Sequence, residues 1–370
     1  MDRASFIQQM AVYIGRSADF KGFEGDHYMK QFRVGLIGCG AISSVHLASL
    51  KTAGLAELTA VCDIREDRAK HAAERYGCRY YTDYKEMLDR EDLDAVHICT
   101  PHYLHPIITV YAANHGVHVL TEKPMSIALA DADRMIDACR RNHVTLGVIF
   151  QNRYNAGSVL IKKTLESGEL GKILSGRLRV NWYRPDTYYS SSDWKGTWDK
   201  EGGGVLINQA IHTMDLMGWF MDSPIEYVDA NISNRAHAGV QVEDCAEGMV
   251  KYRSGAFTIF HALNYYTYDA PIELELHCEN GLARMVSDKA VISFQDGREW
   301  SADRNPADTV QADGSVKDYW GISHSKQIND YYESLAKGEK PFLSGEEARK
   351  TQELICAIYQ SGKEKRRVFV

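Results

Sequence analysis

The sequence predicts an α/β protein in two parts: an N-terminal domain with a parallel sheet, then an α+β domain with a large, mainly antiparallel sheet. Two textures predict it. Up to residue 150, short apolar runs alternate with helical stretches of about 10–15 residues, as βαβ units require. From residue 151, segments alternate apolar and polar residues, as strands do when one sheet face is covered. The 370 residues suit two such domains, and 44% apolar with 25% charged residues suits a packed core.

Taken in order, 32–38 is an apolar run ending in glycine and predicts the first strand, with helical spacing following to Leu50. Residues 58–63 predict a second strand and 65–76 a charged helix. Runs at 95–99, 117–120 and 145–150 continue the strand series, separated by helical stretches at 104–115 and 128–142. The alternating segments of the second part are 172–184, 226–233, 246–252, 256–263, 271–277 and 282–294, with turn signals at Ser254-Gly255 and Asn280-Gly281. Helices return at 328–336 and 345–359, the second opened by Ser344 as N-cap with Glu347 three residues on. The expected divisions are 1–31, an N-terminal extension; 32–150, the first domain; and 151–370, a substrate-binding and oligomerisation domain.

A net charge of −7 argues against a nucleic-acid partner. No apolar run approaches the roughly 18 residues of a membrane span. The eight cysteines contain no Cys-x-x-Cys pair, and residues 6–15 lack the pattern of a signal peptide, so a cytoplasmic protein is expected.

Gly38-Cys39-Gly40-Ala41-Ile42-Ser43 lies between the first predicted strand and helix. It fits Gly-x-Gly-x-x-(small). Gly38 permits a tight turn, Gly40 lets the backbone approach a pyrophosphate, and the helix start at Ala41 and Ile42 supplies amide donors. Asp63 ends the second strand at the distance expected of the acid that bonds the adenosine ribose. These features make 32–150 a Rossmann domain with NAD as cofactor. Arg65 is the competing signal, since an arginine there can take the 2′-phosphate of NADP; a solvated helix residue is the preferred reading.

Cys99-Thr100-Pro101-His102-Tyr103-Leu104-His105, Thr121-Glu122-Lys123-Pro124 and the run from Gly202 through Asn208 and His212 to Asp215 carry a family pattern. Together with the glycine loop, they resemble the Gfo/Idh/MocA family of NAD(P)-dependent sugar and polyol oxidoreductases, over nearly all of residues 32–370. The resemblance implies that Lys123 contacts both the nicotinamide ribose and the reacting hydroxyl, and that His212 is the active-site histidine. It places Thr100, Pro101, His102, His105 and Glu122 in the cofactor cleft. Two departures stand out: Asn208 and Ala210 replace the family's aspartate and glycine, and His102 replaces an asparagine. Asparagine at the first position resembles a subset of sugar oxidoreductases, several of which act at a pyranose C3.

Oxidising a secondary alcohol requires a base for the hydroxyl proton and a donor for the developing alkoxide. His212 is the natural base from its ordinary pKa, Lys123 can stabilise the alkoxide or share the proton, and Asn208 is expected to orient the hydroxyl. If 207–219 is helical, Asn208, His212 and Asp215 share a face, and Asp215 can orient His212 or bond backbone. The aromatic-rich segment 181–198 is expected to wall a sugar cleft, with Arg184 and Trp194 as contacts; Gln151 and Arg153 are expected to border it. Tyr265, Tyr266 and Tyr268 are expected on a sheet or oligomer surface. His97, Cys99, His102 and His105 do not imply convergence on a metal. The expected protein is therefore an NAD-dependent oxidoreductase for a sugar, glycoside or polyol, forming a homodimer or homotetramer. Transient C3 oxidation with glycoside cleavage, inositol oxidation and a non-catalytic sensor are the alternatives.

Overall fold

The computed structural model describes residues 31–305, 309 and 323–370. Apart from Gln31, the expected extension over 1–31 lies outside the described residues.

In the first domain β1 (Phe32–Ile37), α1 (Ser43–Thr52), β2 (Ala56–Cys62), α2 (Glu66–Tyr76), β3 (Arg79–Tyr81), α3 (Tyr84–Arg90), β4 (Ala95–Ile98), α4 (His105–Asn114), β5 (His118–Thr121), α5 (Leu129–Arg141) and β6 (Leu146–Val148) follow one another. The strands are parallel in the order β3-β2-β1-β4-β5-β6. Strand order reverses between β1 and β4, which opens a crevice at their carboxyl ends. The sequence pattern misses β3 and α3. Three mostly exposed residues give β3 no periodicity to detect, while α3 owes its start to Asp83, whose side chain accepts from Lys85 N.

The second part runs α6 (Ala156–Glu166), β7 (Ile173–Asn181), α7 (Asp186–Ser190), a π-helical turn (Val205–Ala210) and α8 (Ile211–Met221). Seven strands follow: β8 (Ile225–Ser233), β9 (Cys245–Tyr252), β10 (Phe257–Leu263), β11 (Glu273–Cys278), β12 (Gly281–Val286), β13 (Lys289–Phe294) and β14 (Glu299–Ala302). After α9 (His324–Lys337) and α10 (Gly345–Glu364), β15 (Val368–Phe369) closes the edge of a nine-stranded sheet, β14-β13-β12-β11-β7-β10-β9-β8-β15. Every pairing in it is antiparallel except β7 with β10. The segment expected as one strand over 282–294 is a hairpin, turning at Ser287 in left-handed conformation (φ 54°).

One face of this sheet is covered. Gly176 of β7 lies under Met217 and Met221 of α8, and Ala230 N of β8 donates to Ser361 Oγ of α10 at 3.0 Å. The other face leaves Ile259 about half exposed beside Arg177–Glu275 and Arg179–Glu273 ion pairs. α9 does not stay with the second sheet. Its Ile328, Tyr331 and Tyr332 pack with Val34, Leu50, Ala95, Leu120 and Ile149 of the first domain. Apolar periodicity shows that a helix needs a covered face without saying which sheet supplies the cover. Among the described residues, no helix is long and apolar enough to cross a membrane.

Candidate active site

At the crevice Gly38 has φ 96°, and a Cβ there would stand 2.7 Å from the Cys99 carbonyl carbon and 2.9 Å from Thr100 N. Glycine therefore lets the loops after β1 and β4 pass each other. A Cβ at Gly40 would meet nothing within 4 Å, so that stretch of backbone borders open space at the start of α1. Asp63 accepts from Cys39 N and Arg65 N, both at 2.8 Å, which fastens the acid to the glycine loop. A carboxylate offers about four acceptor sites, and two remain for ribose hydroxyls. The Arg65 side chain is exposed and pairs with Asp67 at 2.9 Å. Thr100 Oγ1 is buried with no partner among the described residues. A bonded acid, an open glycine backbone and an orphaned hydroxyl fit a dinucleotide.

Lys123 follows β5, and its Nζ donates to the main-chain oxygen of Asn208 at 3.0 Å. Burial lowers its pKa, with Glu122 and Glu201 opposing and Arg184 adding to the fall. His212, in the first turn of α8, is half-buried and edge-on to Phe150, and its buried Nδ1 has no partner among the described residues. Burial, then the Lys123 ammonium, push its pKa down to about 3. The resting imidazole is therefore neutral throughout the physiological range.

Behind Lys123 lies a buried polar chain. Glu122 accepts from Lys123 N at 3.1 Å through Oε2, and its Oε1 is 3.0 Å from His46 Nε2 and 3.7 Å from His324 Nε2. His46 Nδ1 meets His97 Nδ1 at 2.9 Å, and His97 Nε2 meets the Tyr332 hydroxyl at 2.8 Å. Burial alone would raise the Glu122 pKa, but the hydrogen bonds from His324 and His46 outweigh it and hold the carboxyl well below its usual range.

The family model described as "Oxidoreductase family, NAD-binding Rossmann fold" matches residues 32–150, and that of the GFO/IDH/MocA C-terminal domain matches 159–284. The WlbA dehydrogenase of Bordetella pertussis, solved with NADH and UDP-GlcNAcA, is 30% identical with a TM-score of 0.80, covering 92% of this chain and 99% of its own. The chain belongs to the Gfo/Idh/MocA family. Its cofactor is NAD. The myo-inositol 2-dehydrogenase of Thermotoga maritima is 28% identical over 349 residues, 91% of this chain and 98% of that protein. The D-apiose dehydrogenase of Paraburkholderia graminis is 27% identical over 350 residues, 92% of this chain and 90% of that protein.

In this Gfo/Idh/MocA protein, the structure gathers Lys123, Asn208 and His212 but corrects several other expectations. Arg153 is buried and committed. Its Nε and Nη2 bond Asp215 at 2.8 and 2.7 Å, and its Nη1 bonds Glu347 at 2.8 Å, leaving no guanidinium nitrogen for substrate. Asp215 also accepts from Thr351 at 2.6 Å, so it neither orients His212 nor bonds backbone. The π-helical turn before α8 adds a residue to the turn and upsets the regular spacing assumed for that face. Arg184 is 6% exposed, with Nη1 bonded to Asp269 and to its neighbour's carbonyl, and its charge bears on Lys123 and Lys195. His105 spans Pro124 O and Thr100 O at 2.8 Å each, while His102 Nδ1 donates to Glu201 O and its ring meets Trp194 edge-on. Glu122, His102 and His105 thus hold the cleft's loops through bonds to protein groups. Gln151 is buried on a 3₁₀ turn, its Oε1 without a partner among the described residues.

Sequence reasoning missed Glu201 and Glu243. Glu243 accepts from Gly204 N and Leu206 N at 2.8 and 3.0 Å and from the Tyr359 hydroxyl, clamping the glycine run. A Cβ on Gly203 would collide with that hydroxyl, and one on Gly204 with the Glu243 carbonyl. Glu201 directly precedes the glycines; that adjacency was its available signal.

Proposed function

We propose that the protein oxidises a secondary hydroxyl of a sugar or glycoside, C3 favoured, with Lys123 and His212 assisting proton removal. The observation that carries this reading is the bond from Lys123 Nζ to the turn holding Asn208, next to the unpartnered His212 Nδ1. NAD, when bound, supplies the two-electron acceptor that takes hydride from the carbinol carbon. Lys123 donates to the substrate oxygen and stabilises the alkoxide as charge develops. His212 is neutral and has a free lone pair to receive the hydroxyl proton. Its low basicity in the resting site makes the lysine essential, since the ammonium lowers the pKa of the hydroxyl it bonds.

Support for a sugar comes from the aromatic segment. Trp194 is half-buried beside His102, and Lys195 Nζ lies 3.7 Å over the Tyr188 ring. The C3 preference rests on Asn208 and on likeness to the protein solved with UDP-GlcNAcA. The inositol dehydrogenase relative favours a ring polyol as the second reading. The half-exposed Ile259 on the open sheet face supports a homodimer or homotetramer.

The test is NADH formation with purified protein, NAD and a panel of sugars, glycosides, uronic acids and inositols. A steady rise with a pyranose or glycoside, and a 3-keto product, is expected. Oxidation of inositols alone would replace the sugar by a polyol; no reduction of NAD across the panel would overturn the reading.

A further inference from the structure

We propose that Glu201 is a positioning residue that fixes the Asn208 amide so that its oxygen, an acceptor, is presented to the substrate hydroxyl. The inference rests on the dehydrogenase reading above and deepens it.

Glu201 is 1% exposed. Its Oε2 accepts from Gly196 N at 2.5 Å, and its Oε1 accepts from Asn208 Nδ2 at 2.6 Å. The second Asn208 Nδ2 hydrogen goes to the Tyr188 hydroxyl at 3.0 Å. Both amide hydrogens are therefore committed, and Oδ1 accepts no hydrogen bond among the described residues. An ionised carboxylate only accepts, so it compels Asn208 to turn its nitrogen inward. What remains is a fixed acceptor on the turn that Lys123 bonds through its main-chain oxygen. The carboxylate absent from position 208 is thus present at 201, one hydrogen bond further from the reaction.

The ionised form carries this role. Burial raises the Glu201 pKa to about 7, partly countered by the Gly196 amide, the Asn208 amide, Lys195 and Lys123. Arg184 adds positive charge near both lysines, and the hydroxyls of Tyr188, Tyr189 and Tyr359 surround the group in neutral form. When Glu201 is protonated its hydroxyl can donate to residue 208, which lets the amide turn over.

Glutamine at 201 would invert the arrangement. The Gly196 N–H selects the glutamine oxygen, so the glutamine nitrogen faces Asn208 and forces the amide to flip, presenting a donor to the substrate. E201Q is therefore expected to lower kcat about 10- to 100-fold. NADH affinity by fluorescence and the melting temperature should stay near wild type, and the acid limb of the pH–kcat profile near neutrality should vanish. The double variant N208D/E201Q restores an acceptor facing substrate and should recover most of the lost kcat. Wild-type kcat in E201Q, or no recovery in the double variant, overturns the proposal. A second measurement needs neither a variant nor turnover. In an atomic-resolution crystal structure of the wild type above pH 8, Asn208 Nδ2 should face Glu201; Oδ1 found there would overturn the proposal even if the protein reduces NAD. Failure of the whole substrate panel, by contrast, removes the dehydrogenase reading and leaves this amide orientation to be judged from the crystal.

Discussion

Lys123 Nζ donates to the main-chain oxygen of Asn208 at 3.0 Å, joining the end of β5 to the π-helical turn before α8. The bond brings together residues 85 positions apart and fixes the lysine on the side chain's own target, the turn that leads to His212.

Replacing Lys123 by alanine should cut turnover by about 10²–10⁴-fold, the usual worth of a group that assists proton transfer. The glycine loop and Asp63 are untouched, so NADH binding measured by fluorescence should persist. Undiminished turnover would remove the lysine from the mechanism.

Asp63→Ala should shift the ratio of kcat/KM for NAD over NADP toward NADP by roughly tenfold, equivalent to about 1.4 kcal/mol. The carboxylate that repels a 2′-phosphate is lost while Arg65 remains close by. Steady-state kinetics with both nucleotides measure the ratio.

Arg153→Leu should destabilise the fold by about 3–5 kcal/mol, because Asp215 is left buried without its bidentate partner. Denaturant titration checks it. A loss of substrate affinity with unchanged stability would return Arg153 to the substrate site.

Stability should fall as pH drops from 7.5 to 5. Burial lowers the folded pKa of His97, His102, His105 and His212. Below about 6.5 the unfolded chain gains protons at these positions that the folded chain refuses, which favours unfolding. Glu201 and Glu243, both raised to about 7 by burial, act in the opposite sense, since the folded chain holds their protons between about 4.5 and 7. With His118 and His261, whose folded pKa burial also lowers, six histidines outweigh Glu201, Glu243 and the Asp288 and Asp330 carboxyls that burial likewise raises. A melting temperature higher at pH 5 than at pH 7.5 would contradict this balance.

Much of the architecture was legible because it is written in local periodicity. The β1–glycine-loop–α1 unit and Asp63 are neighbours along a βαβ repeat, so spacing alone placed them. The sheet strands of the second part showed through alternation, except where one long pattern hid the Ser287 turn. Lys123 and His212 were legible through family resemblance. Arg153 looked like a substrate contact because a charged residue near a cleft has the same sequence signature whether its partner is a ligand or a buried acid.

By itself, then, the sequence determined the two-part α/β fold and the nucleotide end, because periodicity, turn chemistry and motif spacing are short-range properties of the chain, while Lys123 and His212 were marked by resemblance to a family. Only the tertiary structure decided that α9 covers the first sheet, that Asp215 and Glu347 claim Arg153, that burial and Lys123 hold His212 neutral, and that Glu201 reaches Asn208. Each of those depends on which distant groups share a water-excluded space, where hydrogen-bond partners and desolvation are set by packing.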